Sequence, residues 1–261
     1  MKSNNKLKTA IVLPDIHLPY QDKDSLSAVE KFMGDNKWDY YILLGDFMDF
    51  DCISSHNKNK LREIEGKRIF KDYEKGNAIL DRHQKIILKK NPKAKFILLE
   101  GNHDFRVQRY LDANPQMEGM IEIEVGLRLK ERGIKYVQCY TKGEVFKIGK
   151  AIFHHGLYTT KYHPSKMVEA FGDNVFYGHT HSVDSYSRST YGGNETTIGQ
   201  SLGCLCEYNQ SYMKGRPSKW QHAFGVFYFQ DNGYFNYYVP MIFNGQFVIN
   251  NKIYKKNEKT I

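Results

Sequence analysis

Three short apolar runs in the first hundred residues each end in a polar segment that carries Asp, Asn or His. They span residues 9–13, 40–44 and 95–99. Ile, Val, Leu and aromatic residues predominate in them, which is typical of buried β-strands. Helical periodicity separates the runs, over residues 24–34 and 69–90,. Strands that alternate with helices in this way predict a mostly parallel sheet.

The polar residues follow the predicted strands directly. Asp15 and His17 come after the first run, Asp46 after the second, and Asn102 and His103 after the third. In parallel sheets, ligands bind outside the carboxyl ends of the strands, where loops from separate strands converge. We therefore expect these side chains to share one place at that edge.

Five short motifs of metal-binding residue types occur in order along the chain. Asp, Asn and His supply the oxygen and nitrogen ligands that divalent metals between Mg and Zn accept. One such motif alone is weak evidence, because a single buried histidine commonly bonds a carbonyl, but the ordered series indicates a pair of metals. The motifs are Asp15-Ile16-His17, Gly45-Asp46-Phe47-Met48-Asp49, Gly101-Asn102-His103-Asp104, His155-Gly156 and Gly178-His179-Thr180-His181.

The series resembles the calcineurin-like metallophosphoesterase superfamily, whose pattern is D-x-H, G-D-x-x-D, G-N-H-[DE], H-G and G-H-x-H. The resemblance covers roughly residues 8–240, and the motif spacing resembles that of small bacterial and phage-type phosphodiesterases and of the nuclease subunit of double-strand-break repair. It implies an α/β fold, a four-layer α/β/β/α sandwich. In the second half, runs over residues 144–153, 175–177, 183–198, 223–230 and 234–240, broken by turn residues, predict a second, largely antiparallel sheet,.

The resemblance also implies two divalent metal ions, with manganese favoured and Fe, Zn, Ni or Mg as alternatives. His154 and His155 could each bind by sequence alone; the family places the ligand directly before Gly, which selects His155. His154 should then point to the opposite face and be structural. The implied ligands are Asp15, His17 and His181 for one ion and Asn102, His155 and His179 for the other, with Asp46 bridging both.

Two further residues are implied to act in catalysis. His103 corresponds to the family's catalytic histidine, which protonates the leaving oxygen. Asp49 would orient that imidazole, and a helix-capping carboxylate is the alternative for it. Phe50 follows Asp49 where serine/threonine protein phosphatases place Arg, which argues against that subfamily. Asp104 and Asp51 are predicted to be caps or surface groups and not ligands.

A formal net charge of +9 favours an anionic partner,. Lys58, Lys60 and Arg62 begin a basic cluster shortly after the second motif and are predicted to contact nucleic acid, although a solvated face is the equal alternative,. Arg106 could bind a substrate phosphate or form a salt bridge on its helix. A second basic cluster lies in the C-terminal tail, at Lys252, Lys255, Lys256 and Lys259.

The connection from residue 203 to 222 is long, basic and aromatic. Long loops in compact domains are often functional. Trp220, with Tyr208, Tyr212 and Arg216, could stack and hold a nucleotide base, and ordinary packing of Trp220 under the loop is the alternative.

Three functions are consistent with these residues. The leading hypothesis is a binuclear-metal phosphodiesterase that acts on DNA or RNA. A hydrolase of small phosphoesters, such as cyclic or linear nucleotides, is the enzymatic alternative. A catalytically silent nucleic-acid-binding module is the alternative from another class, but such proteins usually lose ligands, and every motif is intact here.

Composition indicates one folded unit. The 261 residues can bury a sizeable core, and we expect a single domain, with its core at about 8–240 and a basic tail at 250–261,. The sequence has no apolar run of transmembrane length and no apolar stretch near its start, which predicts a cytoplasmic protein without a membrane partner. The spacing of Cys52, Cys139, Cys204 and Cys206 predicts reduced thiols,.

Overall fold

The computed structural model describes residues 7–192, 195–210, 213 and 215–256. Its strands are β1 (Lys8–Leu13), β2 (Tyr40–Leu43), β3 (Lys95–Leu99), β4 (Ile134–Val137), β5 (Phe146–Ile148), β6 (Ala151–Phe153), β7 (Asn174–Tyr177), β8 (Ser185–Ser189), β9 (Thr196–Ser201), β10 (Gly225–Phe229), β11 (Phe235–Tyr238), β12 (Gln246–Ile249) and β13 (Lys252–Lys255). Its α-helices are α1 (Lys23–Asp35), α2 (Leu61–Ile64), α3 (Ile69–Leu88), α4 (Arg106–Ala113), α5 (Ile123–Gly126) and α6 (His163–Phe171).

The first sheet has the strand order β11-β10-β1-β2-β3-β4. Strands β1 to β4 run parallel, which confirms the parallel arrangement predicted for β1, β2 and β3 and adds β4, a strand that the apolar runs do not predict. The predicted strands and the two predicted helices agree closely with β1, β2, β3, α1 and α3. Helix α1 begins after Asp22, whose carboxylate accepts a hydrogen bond from the Ser25 N–H at 2.7 Å and so caps the helix,.

The second sheet has the order β5-β6-β7-β9-β8. Its inner pairs, β6 with β7 and β7 with β9, are parallel, and its outer pairs are antiparallel. The prediction of a largely antiparallel second sheet is therefore wrong. The hairpin β10–β11 belongs to the first sheet instead, where β10 pairs with β1. Two runs separated by turn residues identify a hairpin, but they do not say which sheet edge the hairpin joins.

Apolar side chains fill the space between the layers. Ala10 and Val12 lie in the core between the two sheets, with Phe153, Phe176 and Phe227. The alternate residues of β1, Ile11 and Leu13, belong to the core beneath α1 and α3. Met167 and Val168 of α6 pack on the outer face of the second sheet. The result is the expected α/β/β/α sandwich.

The hairpin β12–β13 covers α1. The rings of Phe247 and Tyr254 pack on Phe32 of α1, with ring centroids 5.9 and 5.2 Å away. Residues 250–256 of the segment that the sequence assigns to a basic tail therefore include a buried aromatic anchor. Lys259, the last lysine of that segment's basic cluster, lies outside the described residues.

Two further predictions from the sequence concern the cysteines and the length of apolar segments. All four cysteines are free thiols, as predicted. Among the helices of the described residues, none combines the length and the apolar character needed to cross a bilayer.

Candidate metal centre

The five motifs meet where five strands end. The strands β1, β2 and β3 of the first sheet and β6 and β7 of the second each stop within three residues of the first predicted ligand that follows. The carboxyl ends of parallel strands lie at one edge of a sheet, so the loops that follow converge. Both sheets thus contribute to one site.

The first ligand group consists of Asp15, His17, Asp46 and His181. All four are buried, and one ligand atom from each lies within 4.8 Å of the others. His181 Nε2 is 3.1 Å from Asp15 Oδ1 and 3.1 Å from His17 Nε2. His17 Nε2 is 3.5 Å from Asp46 Oδ2. Two imidazole nitrogens and two carboxylates that face one point suit a divalent cation.

The second ligand group consists of Asp46, His155, His179 and Asn102. The ligand atoms of Asp46, His155 and His179 lie within 4.8 Å of one another. Asn102 Oδ1 is 3.1 Å from His155 Nε2 and 2.7 Å from His179 Nδ1. Asp46 Oδ2, 3.3 Å from His155 Nε2, is the atom that also faces His17. One carboxylate is therefore shared by both groups.

The carboxyl groups of both ligand groups favour the ionised form, which is the form that binds a cation. Burial alone would raise the pKa of the Asp15 and Asp46 carboxyls, but the surrounding imidazoles hold each pKa well below its usual range. Burial lowers the pKa of His155, yet the Asp46 and Asp15 carboxylates raise it to about 9. Burial and the neighbouring His155 lower the pKa of His179 to about 4. The donor set thus fits a pair of divalent metals. Because the Asp46 and Asp15 carboxylates favour a proton on His155, metal binding at this ring would displace that proton,.

The backbone at the site is unusual. Five of the seven predicted ligands, Asp15, His17, Asp46, His179 and His181, have a positive φ. This conformation is uncommon for residues with a side chain and is held only where surrounding contacts impose it, as at functional sites. Here the His17 N–H donates to the Asp46 carbonyl at 2.9 Å, which joins the first two motif loops.

Two motif glycines permit close approach of the loops. A Cβ atom on Gly101 would lie 2.2 Å from both the backbone nitrogen and Oδ1 of Asp46. A Cβ atom on Gly178 would lie 2.0 Å from Asp15 Oδ2. Neither contact is possible between real atoms, so these positions keep glycine to let a neighbouring backbone pass against a ligand carboxylate.

Hydrogen bonds from the far side of two rings orient them. His155 Nδ1–H donates to the Leu44 carbonyl at 2.9 Å, which leaves Nε2 as the nitrogen that faces the centre. His17 Nδ1–H donates to Asp49 Oδ2 at 3.1 Å, which leaves His17 Nε2 as the nitrogen that faces the centre. Such partners fix the tautomer and increase the basicity of a ligating imidazole.

Asp49 also contacts the predicted catalytic histidine. Its Oδ2 accepts a hydrogen bond from His103 Nδ1 at 3.1 Å, and its Oδ1 lies 3.1 Å from Arg106 Nη1. Arg106 Nη2 lies 3.2 Å from His103 Nε2. Because a guanidinium only donates, Nε2 accepts this bond. Arg106 thus forms an ion pair with Asp49, across the loops and not along its own helix.

Two acidic residues beside the motifs have structural partners. Asp104 is buried and accepts the N–H groups of Gly101 at 2.9 Å and Met48 at 3.1 Å, so it ties the third motif loop to the second. Burial, together with the charge of Asp46, raises its pKa to about 7. Asp51 accepts hydrogen bonds from the Tyr20 hydroxyl at 2.6 Å and from Lys67 at 2.7 Å. Asp104 is a loop cap and not a surface group.

His154 has the structural environment that the sequence predicts. Its Nδ1 accepts a hydrogen bond from the Gly156 N–H at 2.9 Å, and its ring packs against Phe171 with centroids 5.1 Å apart. Burial and the nearby His155 lower the pKa of His154 to about 4. The ring is therefore neutral and belongs to the packing between β6 and α6.

The connection between β9 and β10 reaches the first ligand group. The ring of Trp220 packs edge-on against His181, with centroids 4.2 Å apart. Cys206 Sγ lies 3.9 Å from His181 Nδ1, a contact that the spacing of the cysteines does not reveal. Tyr208 stacks on His222 at 3.9 Å. Arg216 is exposed, and Tyr212 lies outside the described residues.

A cavity of about 660 Å³ adjoins the second ligand group. Of the predicted substrate contacts, Lys58 and Arg106 line it. Lys60 and Arg62 are exposed nearby in sequence and do not belong to its lining. The complete lining is Cys52, Ile53, Ser54, Ser55, His56, Lys58, Ile64, Asn102, Arg106, Arg109, Tyr110, Ala113, Asn114 and His179.

A four-layer sandwich that carries two Asp/His/Asn groups with a shared carboxylate has the architecture of a metallophosphoesterase. The family model of calcineurin-like phosphoesterases matches residues 8–183, a span that contains all five motifs. The chain belongs to this family.

Several known proteins are similar along nearly the whole chain. The Gene 54 proteins of Mycobacterium phages D29 and L5 are each 24% identical over 258 residues, which is 95% of this chain and 99% of theirs. Vacuolar protein sorting 29 from Cryptosporidium parvum has a TM-score of 0.49 at 13% identity, covering 96% of this chain and 99% of that one. Wild-type Vps29 from Entamoeba histolytica, complexed with Zn²⁺, has a TM-score of 0.47 at 12% identity, covering 95% and 97%.

Proposed function

We propose that the protein is a phosphodiesterase that uses two divalent metal ions and acts on nucleic acid. The observation that carries this proposal is the position of Asp46. Its Oδ2 atom faces both ligand groups, and the N–H of His103, the predicted acid, donates to its Oδ1 at 2.7 Å. A shared carboxylate offsets the repulsion between two cations and places a histidine beside them.

The residues around the centre have complementary tasks. When bound, the two ions would polarise the phosphoryl group and generate the nucleophile from water. His103 Nε2 protonates the leaving oxygen, and Asp49 holds the opposite ring nitrogen,. Arg106 donates to Nε2 in this structure. A phosphoryl group that took up the Arg106 donor would free Nε2 to accept a proton from water, and the resulting imidazolium would deliver that proton to the leaving oxygen.

Two features support nucleic acid as the substrate. Lys58 lies on the cavity wall beside the second ligand group, and Trp220 packs on His181 of the first group. A cation and an aromatic ring therefore flank the centre on different sides, as a bound strand would need. The net charge of +9 would attract a polyanion,. Manganese as the metal and the cytoplasm as the location stay predictions from the sequence.

Small phosphoesters are the second candidate, favoured by a cavity of about 660 Å³ beside the second ligand group. A silent binding module is less consistent with the site, because every position of both ligand groups keeps a ligating residue.

Metal dependence tests the reaction class. We expect hydrolysis of bis(p-nitrophenyl) phosphate with added Mn²⁺ and its loss after chelation, because the nucleophile and the charge stabilisation both depend on the ions. Comparison with a monoester, single-stranded DNA and RNA would identify the preferred class. Full activity in extensively chelated protein would contradict the two-metal proposal.

The basic cluster tests the substrate. Changing Lys58, Lys60 and Arg62 together to Ala should weaken the binding of a single-stranded oligonucleotide. The slope of log affinity against log salt concentration should fall by up to about 0.7 for each phosphate that the variant no longer neutralises. Fluorescence anisotropy over a salt series measures both the affinity and the slope.

A matched control removes equal charge elsewhere. Lys85, Lys89 and Lys93 are exposed where α3 leads into β3, at the edge of the sheet opposite the metal centre. Their triple Ala variant should keep the original salt slope. Equal effects in both variants would mean that only net charge matters, and an intact protein without affinity for any oligonucleotide would favour the small-phosphoester candidate.

A further inference from the structure

The cavity beside the second ligand group has two facing walls. One wall comes from the segment 52–64, which connects the second motif to α3. The other wall is α4, which follows the third motif. Asn102 and His179, two ligands of the second group, belong to the same lining. A molecule in the cavity would therefore touch whatever the second group binds.

The walls are largely apolar. Ile53 and Ile64 line one side, and Tyr110 and Ala113 of α4 line the other. Cys52 adds a neutral thiol, since burial and the charge of Asp72 raise its pKa to about 12. A cavity of about 660 Å³ has the size and the character of pockets that bind a small organic molecule,.

Three cationic side chains contribute to the lining of the cavity. Lys58, Arg106 and Arg109 all line it. Arg106 is paired with Asp49, whereas, within the residues that the structure describes, neither Lys58 nor Arg109 forms an ion pair. Two such cations beside an apolar slot suit a ligand that joins an anion to a flat or apolar group.

We propose that this cavity binds one nucleoside of the substrate, attached to the phosphate that is cleaved. The phosphate would lie at Asn102 and His179 with Arg106 beside it, and the base would enter between Ile53 and Tyr110. The hydroxyls of Ser54 and Ser55 and the side chain of Asn114 provide hydrogen-bonding groups for the base or the sugar. The position of the phosphate rests on the proposed function. The assignment of a nucleoside to the cavity depends on the volume and the lining of the cavity and not on the reaction.

A blocking substitution tests the pocket. Ala113 is exposed at the end of α4, so Ala113→Trp adds a large side chain to the cavity without disturbing the core. We expect the kcat/KM for thymidine 5′-(p-nitrophenyl phosphate), relative to that for methyl p-nitrophenyl phosphate, to fall at least about tenfold. Both esters release the same leaving group, so the ratio reports binding of the nucleoside. The matched control is Ala78→Trp, at an exposed position of α3 outside the lining, which should leave the ratio unchanged.

Direct binding separates this inference from the proposed reaction. Calorimetry on the metal-loaded protein should show thymidine 5′-monophosphate binding at least about tenfold more tightly than inorganic phosphate, with the difference abolished in Ala113→Trp. That result without hydrolysis of either ester would support the pocket and contradict the phosphodiesterase. Hydrolysis of the methyl ester with no preference for the nucleotide would overturn the pocket and leave the phosphodiesterase standing. An unchanged ester ratio in Ala113→Trp would also overturn it.

Discussion

Asp46→Asn should lose both metal ions and nearly all activity. Asp46 Oδ1 accepts the His103 N–H, while Oδ2 faces His17 and His155. If the amide oxygen keeps the bond to His103, the amide N–H₂ points at both ligand groups and repels cations. If the amide rotates, its N–H₂ faces the His103 N–H, and the hydrogen bond is replaced by repulsion between two donors. We expect turnover to fall by about 10³-fold or more, since each ion contributes several kcal/mol to the transition state.

Elemental analysis and activity with Mn²⁺ measure this effect. Asp104→Asn is the matched control, because Asp104 is equally buried and also accepts backbone N–H groups, but it does not face the ligand groups. The control should lose stability and keep its metals. Two ions per chain in Asp46→Asn would show that Asp46 does not bridge.

The sequence predicts β1, β2 and β3 of the first sheet well because their signal is local. Each of β1, β2 and β3 is a short apolar run next to an amphipathic helix, and a parallel sheet follows from their alternation,. The position of the site then follows, since Asp15, Asp46 and Asn102 come directly after these strands. The convergence of these three loops could therefore be expected from the strand pattern, whereas the place of His155, His179 and His181, which follow strands of the second sheet, is implied only by the family resemblance.

Pairing between distant segments is less visible in the sequence. The hairpin β10–β11 reads correctly as a hairpin, but its place beside β1 depends on packing of Phe227 and Phe229 between the sheets. Likewise, nothing local indicates that Tyr254 near the C-terminus packs against Phe32 of α1. Such contacts depend on the shape of the assembled core.

The site contains features that residue types alone do not reveal. Positive φ angles at Asp15 and His179 arise from tertiary contacts, since neither residue type requires them,. Asp49 orients His17 as well as His103, a second role that the motif pattern does not imply. The cavity requires α4 to face the segment 52–64, a tertiary arrangement that no local pattern in the sequence indicates.

His103→Asn should keep both metals and lose turnover on esters with poor leaving groups. The ring lies outside the two ligand groups that share Asp46, in a smaller cluster with His17 and Asp49: Nδ1 is held by Asp49 and Nε2 faces Arg106. Loss of a general acid typically lowers the rate by about 10²- to 10⁴-fold. The loss should shrink for p-nitrophenolate, which departs without a proton. Rates for methyl phenyl phosphate and methyl p-nitrophenyl phosphate, measured with metal content, test this.

Asp49→Asn, compared with His103→Asn, distinguishes the role of His103 as a proton donor from the role of His17 as a metal ligand. Because Asp49 Oδ2 accepts from both His17 and His103, its loss should weaken metal binding at the first ligand group, by about 10- to 100-fold in affinity, and also slow the poor leaving group,. His103→Asn should show only the second effect. If His103→Asn instead lost metal and slowed both esters equally, His103 would be a ligand. The split between the two variants is what distinguishes a proton donor from a metal-binding imidazole in this cluster of histidines.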